Sequence, residues 1–281
     1  MPRVGRAVLL AILLLVALLG PSCSHAPGGS PAGGPDAIVV AHFGDSTCST
    51  DYLPAPIHID RVLNARLAEH YPAQRIVDVN VCKSGDYVFR LLHERRPWLF
   101  FRTRYEREVR GRVPHIDVAL IRYGHNDRGR FTHEEFRRQL EELCDRLQRD
   151  YPGVHLVLET NSYIDPVHNA SDRMNEEYDR VWEVVRRVAR ERRYPLVEVF
   201  ARLKREVQAG NWDLCIRNDE LAEKRFGRQI VDDSKDGEMA GAADWFRNPH
   251  PNFRAVTITA DEEFRTLTAT WPDRLPKAGE G

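Results

Sequence analysis

AIVVAHFGDS, residues 37–46, is the stretch on which the fold turns. A compact apolar run closed by a glycine reads as a buried strand over 37–44, with Gly-Asp-Ser as the turn out of its C-terminal end. Four further runs share that character: RIVDVNV (75–81), IDVALIRYG (116–124), VHLVLET (154–160) and the shorter YPLVEVF (194–200). Helical patterns lie between them. Thr132 caps one, with Glu135 three residues on and Phe136, Leu140, Leu143 and Leu147 on a single stripe. Ser171 opens another, with Met174, Tyr178, Val181, Val185 and Val188 on its inner face, and a third is expected from His58 to Glu69. These stripes are core. Strands that alternate with long helices need crossover connections, so the expected architecture is a mostly parallel five-stranded sheet covered on both faces.

The 281 residues suit one large domain or two small ones, and no internal repeat or second domain stands out. Lys plus Arg (41) nearly cancels Asp plus Glu (42), which gives no electrostatic case for nucleic acid as a partner. The first 22 residues read separately. Arg3 and Arg6 precede an apolar run from Ala7 to Leu19 that is short for a membrane span, the layout of an export signal. Cys23 stands where a lipoprotein's acylated cysteine would stand, although Gly20 and Pro21 depart from the usual leucine-led box. Residues 23–36 are a Ser/Pro/Gly-rich linker, and 37–281 the expected folded domain. Export is therefore expected, either as a surface lipoprotein or as a periplasmic or secreted chain. Any membrane association would come only through the leader or a lipid on Cys23. Oligomeric state is not readable. Residues 208–248 are polar and weakly patterned, too long for a simple connection, and read as an arm beside the site.

Active sites of parallel sheets gather at the C-terminal ends of strands. Three unusual sequences fall there. In HFGDSTCS (42–49), Ser46 is placed for a nucleophile at a strand-to-helix turn, or else Asp45 and Ser46 merely cap a helix. In NVCKSGDY (80–87), Gly85 permits a close backbone approach, so its N–H could face an oxyanion; alone, Ser-Gly-Asp is only a turn. In RYGHNDRG (122–129), Asn126 could aim its amide at the same oxyanion, against the reading of an Asn-Asp turn before Thr132. Of eleven histidines, His250 in NPHPN (248–252) stands out as a base, stiffened by flanking prolines.

With these residues in view, the chain resembles the SGNH/GDSL hydrolase family. FGDS matches its first block, NVCKSGD its second, GHND its third, and His250-Pro251 its last, in family order from residue 43 to 252. The resemblance implies a three-layer α/β/α sandwich of flavodoxin-like type and a serine esterase needing no metal or organic cofactor. Ser46 would be the nucleophile, His250 the base, and the N–H groups of Ser46 and Gly85 with the Asn126 side chain the oxyanion hole. One departure matters. The family places an aspartate three residues before the histidine, and here that residue is Arg247, which cannot accept the imidazole N–H. Asp244 is the expected acid, with Asp236 and Asp213 weaker candidates and a backbone carbonyl in a Ser-His dyad the fallback.

Cys48 and Cys82 would lie near enough to pair, or stay two core thiols; Cys144 lies in a helical stripe and reads as core. The expected activity is hydrolysis of carboxylic esters through an acyl-serine, with small acyl groups on carbohydrate a fitting substrate. Trp212 and Trp245 would supply a sugar-stacking face, unless they only pin the arm to the core. An O-acyltransferase of the same fold and a non-catalytic glycan-binding surface protein are the alternatives.

Overall fold

Every residue of β1 (Ala37–Gly44) is buried, as a central parallel strand covered on both faces must be. The computed structural model describes residues 36–95, 102–165, 173–216 and 250–280, all within the unit Ala32–Gly281. β1 is joined by β2 (Arg75–Asn80), β3 (Val118–Arg122), β4 (His155–Glu159) and β5 (Leu196–Val197). All pairings are parallel, in the order β2-β1-β3-β4-β5. The chain moves outward from β1 to β2 and then crosses back to β3, so the topological switch lies between β1 and β3. In sheets of this kind ligands bind beyond the C-terminal strand ends at such a point.

Side chains alternate across the sheet and build two cores. Ile38, Val40, Val118 and Leu120 pack beneath α2 (Ile59–His70), α6 (Val199–Gln208) and α7 (Phe253–Thr270). Ala41, Phe43, Ala119 and Ile121 face α3 (Val88–His93), α4 (His133–Asp150) and α5 (Arg173–Arg192). The Thr132–Glu135 capping box closes reciprocally, satisfying two helix-end donors and contributing about 1 kcal/mol. Phe136, Leu140, Leu143 and Leu147 form the buried stripe of α4 together with Cys144. Tyr178, Val181, Val185 and Val188 do the same for α5.

The expected last strand over 194–200 is corrected to two residues. Val199, Phe200 and Leu203 are instead the buried side of α6. The i, i+4, i+8 spacing of Val199, Leu203 and Val207 prevails over the β-branched content at its start. α3 and the single π-turn Tyr105–Val109 are also additions, both too short to leave a periodic signature.

Residues 1–35, with the leader, Cys23 and nearly all of the linker, lie outside the described residues. So do Ser171 and residues 217–249, which contain most of the arm and with it Asp236, Asp244, Trp245 and Arg247. No helix among the described residues is long and apolar enough to cross a membrane.

Candidate active site

β1 delivers Gly44, Asp45 and Ser46 to the C-terminal edge of the sheet, and Ser46 begins the one-turn helix α1 (Ser46–Ser49). Asp45 is its cap, accepting the Thr47 N–H at 2.9 Å. Thr50, in the left-handed region at φ 48°, closes the turn by donating to the Ser46 carbonyl at 3.0 Å. Burial pushes the Asp45 carboxyl up to about 6, opposed by its bonds to Thr47.

Beneath α1 lies Arg122, in register with Gly44 on the neighbouring strand. Its Nε donates to Glu159 at 2.6 Å, Nη2 pairs with Glu263, and Nη1 reaches the Thr47 carbonyl at 3.5 Å. The Ser46 turn therefore rests on a buried ionic cluster. No local pattern announces it, because its members are 37 and 141 residues apart.

The loops after β2 and β3 are laced together. Asn126 Nδ2 donates to the Asp86 carbonyl at 2.9 Å, and Tyr123 Oη donates to the Asp86 carboxylate at 2.9 Å. Asp127 accepts the N–H groups of Val88 and Gly124, each at 3.1 Å, so it is a brace between the two loops rather than a simple turn residue. Gly85 has φ +71°, and no acceptor among the described residues takes its N–H. Gly124, at φ +126°, has no room for a side chain: a Cβ there would meet Trp182 at 2.5 Å. That contact seats the Asn126 loop directly on α5.

The Cys48–Cys82 pair forms a disulfide, Cα atoms 5.7 Å apart. It joins α1 to the loop bearing Gly85. Cys144 and Cys215 are buried thiols.

His250 arrives from the far end of the chain. Its Nε2 lies 2.6 Å from Ser46 Oγ, across 204 residues of sequence. The backbone of its loop pairs with residues 214–216. The Ile216 N–H donates to the His250 carbonyl and the Asn252 N–H to the Leu214 carbonyl, both at 2.9 Å. The Leu214 and Cys215 N–H groups in turn donate to Asp165 at 3.1 and 2.9 Å. Tyr52 meets the imidazole edge-on, ring centroids 4.9 Å apart, and its hydroxyl donates to the Pro251 carbonyl at 2.8 Å. Burial, assisted by nearby His125 and opposed by Asp51, pushes the His250 imidazole down to about 3. It is neutral at physiological pH and able to accept a proton.

Ser46, Gly85, Asn126 and His250 are thus gathered at one end of the sheet. Asp244 lies outside the described residues. Asp213 is buried beside the His250 loop, where its carboxylate accepts a bond from Asn252 Nδ2 at 3.3 Å. Trp212 is 5% exposed and packed into the protein; the expected sugar-stacking face is corrected there, since an indole must be open to take a sugar. Tyr52, Arg122, Asp165 and His125 escape a reading of the sequence. His125 alone carried a signal, as the variable position inside GHND. Its ring stacks on Tyr178 at 4.7 Å.

Comparison with known proteins bears on the fold and the family. The chain matches no curated protein. Among solved structures it is similar to an acetylxylan esterase from Geobacillus stearothermophilus (19% identity, TM-score 0.56, 82% of this chain and 95% of that one). It is also similar to an alpha/beta hydrolase enzyme from the metagenome of Lake Arreo (21%, 0.55, 82% and 95%). A third is a member of the lipolytic protein G-D-S-L family from Veillonella parvula (13%, 0.53, 83% and 99%). At these identities the likeness is one of fold. Residues 42–252, which span every block described above, match the GDSL-like lipase/acylhydrolase family. The chain belongs to that family and is an ester hydrolase of the SGNH type.

Proposed function

We propose that Ser46 is the nucleophile and His250 the general base of this ester hydrolase, acting on small acyl esters of carbohydrate. The observation that carries the assignment is the 2.6 Å approach of His250 Nε2 to Ser46 Oγ, within the reach a base needs to take the proton. As Oγ attacks the ester carbonyl, the proton passes to Nε2. The carbonyl oxygen, now negative, is received by the N–H groups of Ser46 and Gly85 and by the Asn126 amide. One amide hydrogen of Asn126 is held by the Asp86 carbonyl, which fixes the rotamer and leaves the second for the oxyanion. His250 then protonates the departing alcohol, and water, activated by the same imidazole, releases the acid from Ser46.

Asp244 is our proposed orienting acid for His250, and Asp244→Asn should lower kcat far more than Asp213→Asn. The carbohydrate side of the substrate draws its support from the acetylxylan esterase likeness and from the polar character of residues 208–248. We further propose export, with lipid on Cys23, to be read from the mass of the mature N-terminus. For the central assignment, Ser46→Ala should abolish hydrolysis of p-nitrophenyl acetate with an unchanged far-ultraviolet circular dichroism spectrum. Activity retained in that folded variant would remove Ser46 from the reaction.

A further inference from the structure

Beside the Gly85 loop, residues of the 83–94 and 104–112 segments line a cavity of about 270 Å³. Five cations line it: Lys83, Arg90, Arg104, Arg107 and Arg112. Glu94 and Glu108 are its carboxylates, and Asp86 lies buried behind Arg104. Three acids against five bases leave an excess of two positive charges.

The pairing of these groups shows where that excess sits. Arg90 is held by Glu94 at 2.7 Å. Arg104 is held by Asp86 and by Glu108, the latter at 2.6 Å, and Arg107 stands 3.8 Å from Glu108. Lys83 and Arg112 make no ion pair among the described residues. A concave site lined mainly by one sign of charge focuses its field on a ligand of the opposite sign. Its volume is at the lower edge of small-molecule pockets, suited to one sugar-sized unit or smaller.

The cavity is also tied to the chemistry. Arg90 Nη1 donates to the Gly85 carbonyl at 3.4 Å, and Arg104 grips Asp86, the next residue. The Lys83 N–H donates to the Gly44 carbonyl at 3.0 Å, two residues before Ser46. Two trans peptides separate Lys83 from Gly85, so their Cα atoms are at most about 7.6 Å apart. A unit bound here would sit next to the oxyanion donor.

We propose that this cleft is an anion subsite, which takes a carboxylate- or phosphate-bearing unit of the ester substrate adjoining the one that carries the acyl group. The proposal rests on the reading of Ser46 and Gly85 as catalytic groups, and it makes the preferred substrate an acidic glycan. Lys83 and Arg112 are the specificity residues. Both are exposed, and neither touches the reacting atoms, so their truncation leaves the fold and the hydrolysis of a neutral ester intact.

The test has two arms on the full chain. Calorimetric titration with glucuronate, inorganic phosphate and, as neutral control, glucose measures the subsite directly, whether or not the chain turns over esters. Lys83→Gln/Arg112→Gln should weaken the anion that binds by about tenfold or more, the effect of losing charge-assisted bonds. Binding of glucuronate alone identifies a uronate, and binding of phosphate alone a phosphorylated unit. Binding of neither below about 10 mM, or equal binding by the double variant, overturns the proposal. In the second arm, kcat/KM for acetylated glucuronoxylan oligosaccharides should fall about tenfold in the double variant, while p-nitrophenyl acetate and neutral acetylated xylo-oligosaccharides are unaffected. Equal losses on acidic and neutral esters would overturn it. A failure of the esterase reading shows up separately, as no turnover of p-nitrophenyl acetate by the unaltered chain.

Discussion

Replacing Arg122 by methionine keeps the bulk of the side chain and removes the one cation from a buried cluster. The side chains of Arg122, Glu159 and Glu263 are 3%, 1% and 0% exposed. Burial raises both glutamic acids, Glu263 well above its ordinary value, with the charge of Glu159 adding to the effect. The cluster thus sets one guanidinium against two carboxyl groups that burial drives toward their neutral forms. Without Arg122, the two carboxyls are left buried with no cation to balance a charge on either. Breaking a buried pair from one side costs about 3–5 kcal/mol, a large share of the roughly 5–15 kcal/mol that holds a domain folded. For a chain of this size the melting temperature should drop by roughly 6–20 °C.

The loss should also depend on pH. In the variant both carboxyls have folded pKa values further above their unfolded values. Their stabilising proton is fully held below the unfolded value and lost as pH rises through the folded one. The deficit against the unaltered chain should therefore shrink on going from pH 7 toward pH 5, by at most about 1.4 kcal/mol per pH unit for a carboxyl that is protonated in the folded variant and ionised in the folded unaltered chain. Urea unfolding at the two pH values measures it. Arg122→Met/Glu159→Leu/Glu263→Leu, which leaves no buried charge, should recover most of the stability. A loss under about 1 kcal/mol in the single variant, or an identical deficit at both pH values, would refute the reasoning.

Gly124→Ala should destabilise by about 1–3 kcal/mol and lower kcat. Its Cβ would sit 2.5 Å from Trp182 at φ +126° and push the Asn126 loop off α5; an active, fully stable variant would contradict that. Because the His250 imidazole is held down near 3, the neutral base persists into acid. The acid limb of kcat/KM should fall well below pH 6, and an inflection between 6 and 7 would count against it. Cys48→Ser/Cys82→Ser removes a bridge across 34 residues and should cost about 3–4 kcal/mol of stability in a denaturant melt, whereas equal midpoints with and without it would show that the bridge does not constrain the unfolded chain. Asn126→Ala should reduce kcat by roughly 100-fold or more with KM little changed, and a change confined to KM would place Asn126 outside the oxyanion hole.

The β1 run, the Thr132 cap and the Phe136–Leu147 stripe were legible in the sequence because each is a local periodic signal over several turns or residues. Ser46, Gly85, Asn126 and His250 stand out in the sequence as candidates because each lies at a strand end or between prolines, in short motifs with distinctive neighbours. Arg122 does not stand out, since it closes an apolar strand and its partners come from β4 and α7. Tyr52 was hidden for the same reason: its link to Pro251 spans 199 residues. At the end of the sheet LVEVF carries β-branched residues that suit a strand, and only the packing of Leu203 under the sheet decides for helix. Trp212 looked available because its neighbours are polar. Pairing of residues 214–216 with the His250 loop turns it inward.

The central claim is that one serine, Ser46, is made reactive by His250. A biotinylated fluorophosphonate, which forms a stable bond only with an activated serine oxygen, tests it directly by peptide mass spectrometry. The label should sit on the peptide containing Ser46 at one per chain, and His250→Ala should abolish it while the chain stays folded. Labelling at another serine, or undiminished labelling in His250→Ala, would contradict the account.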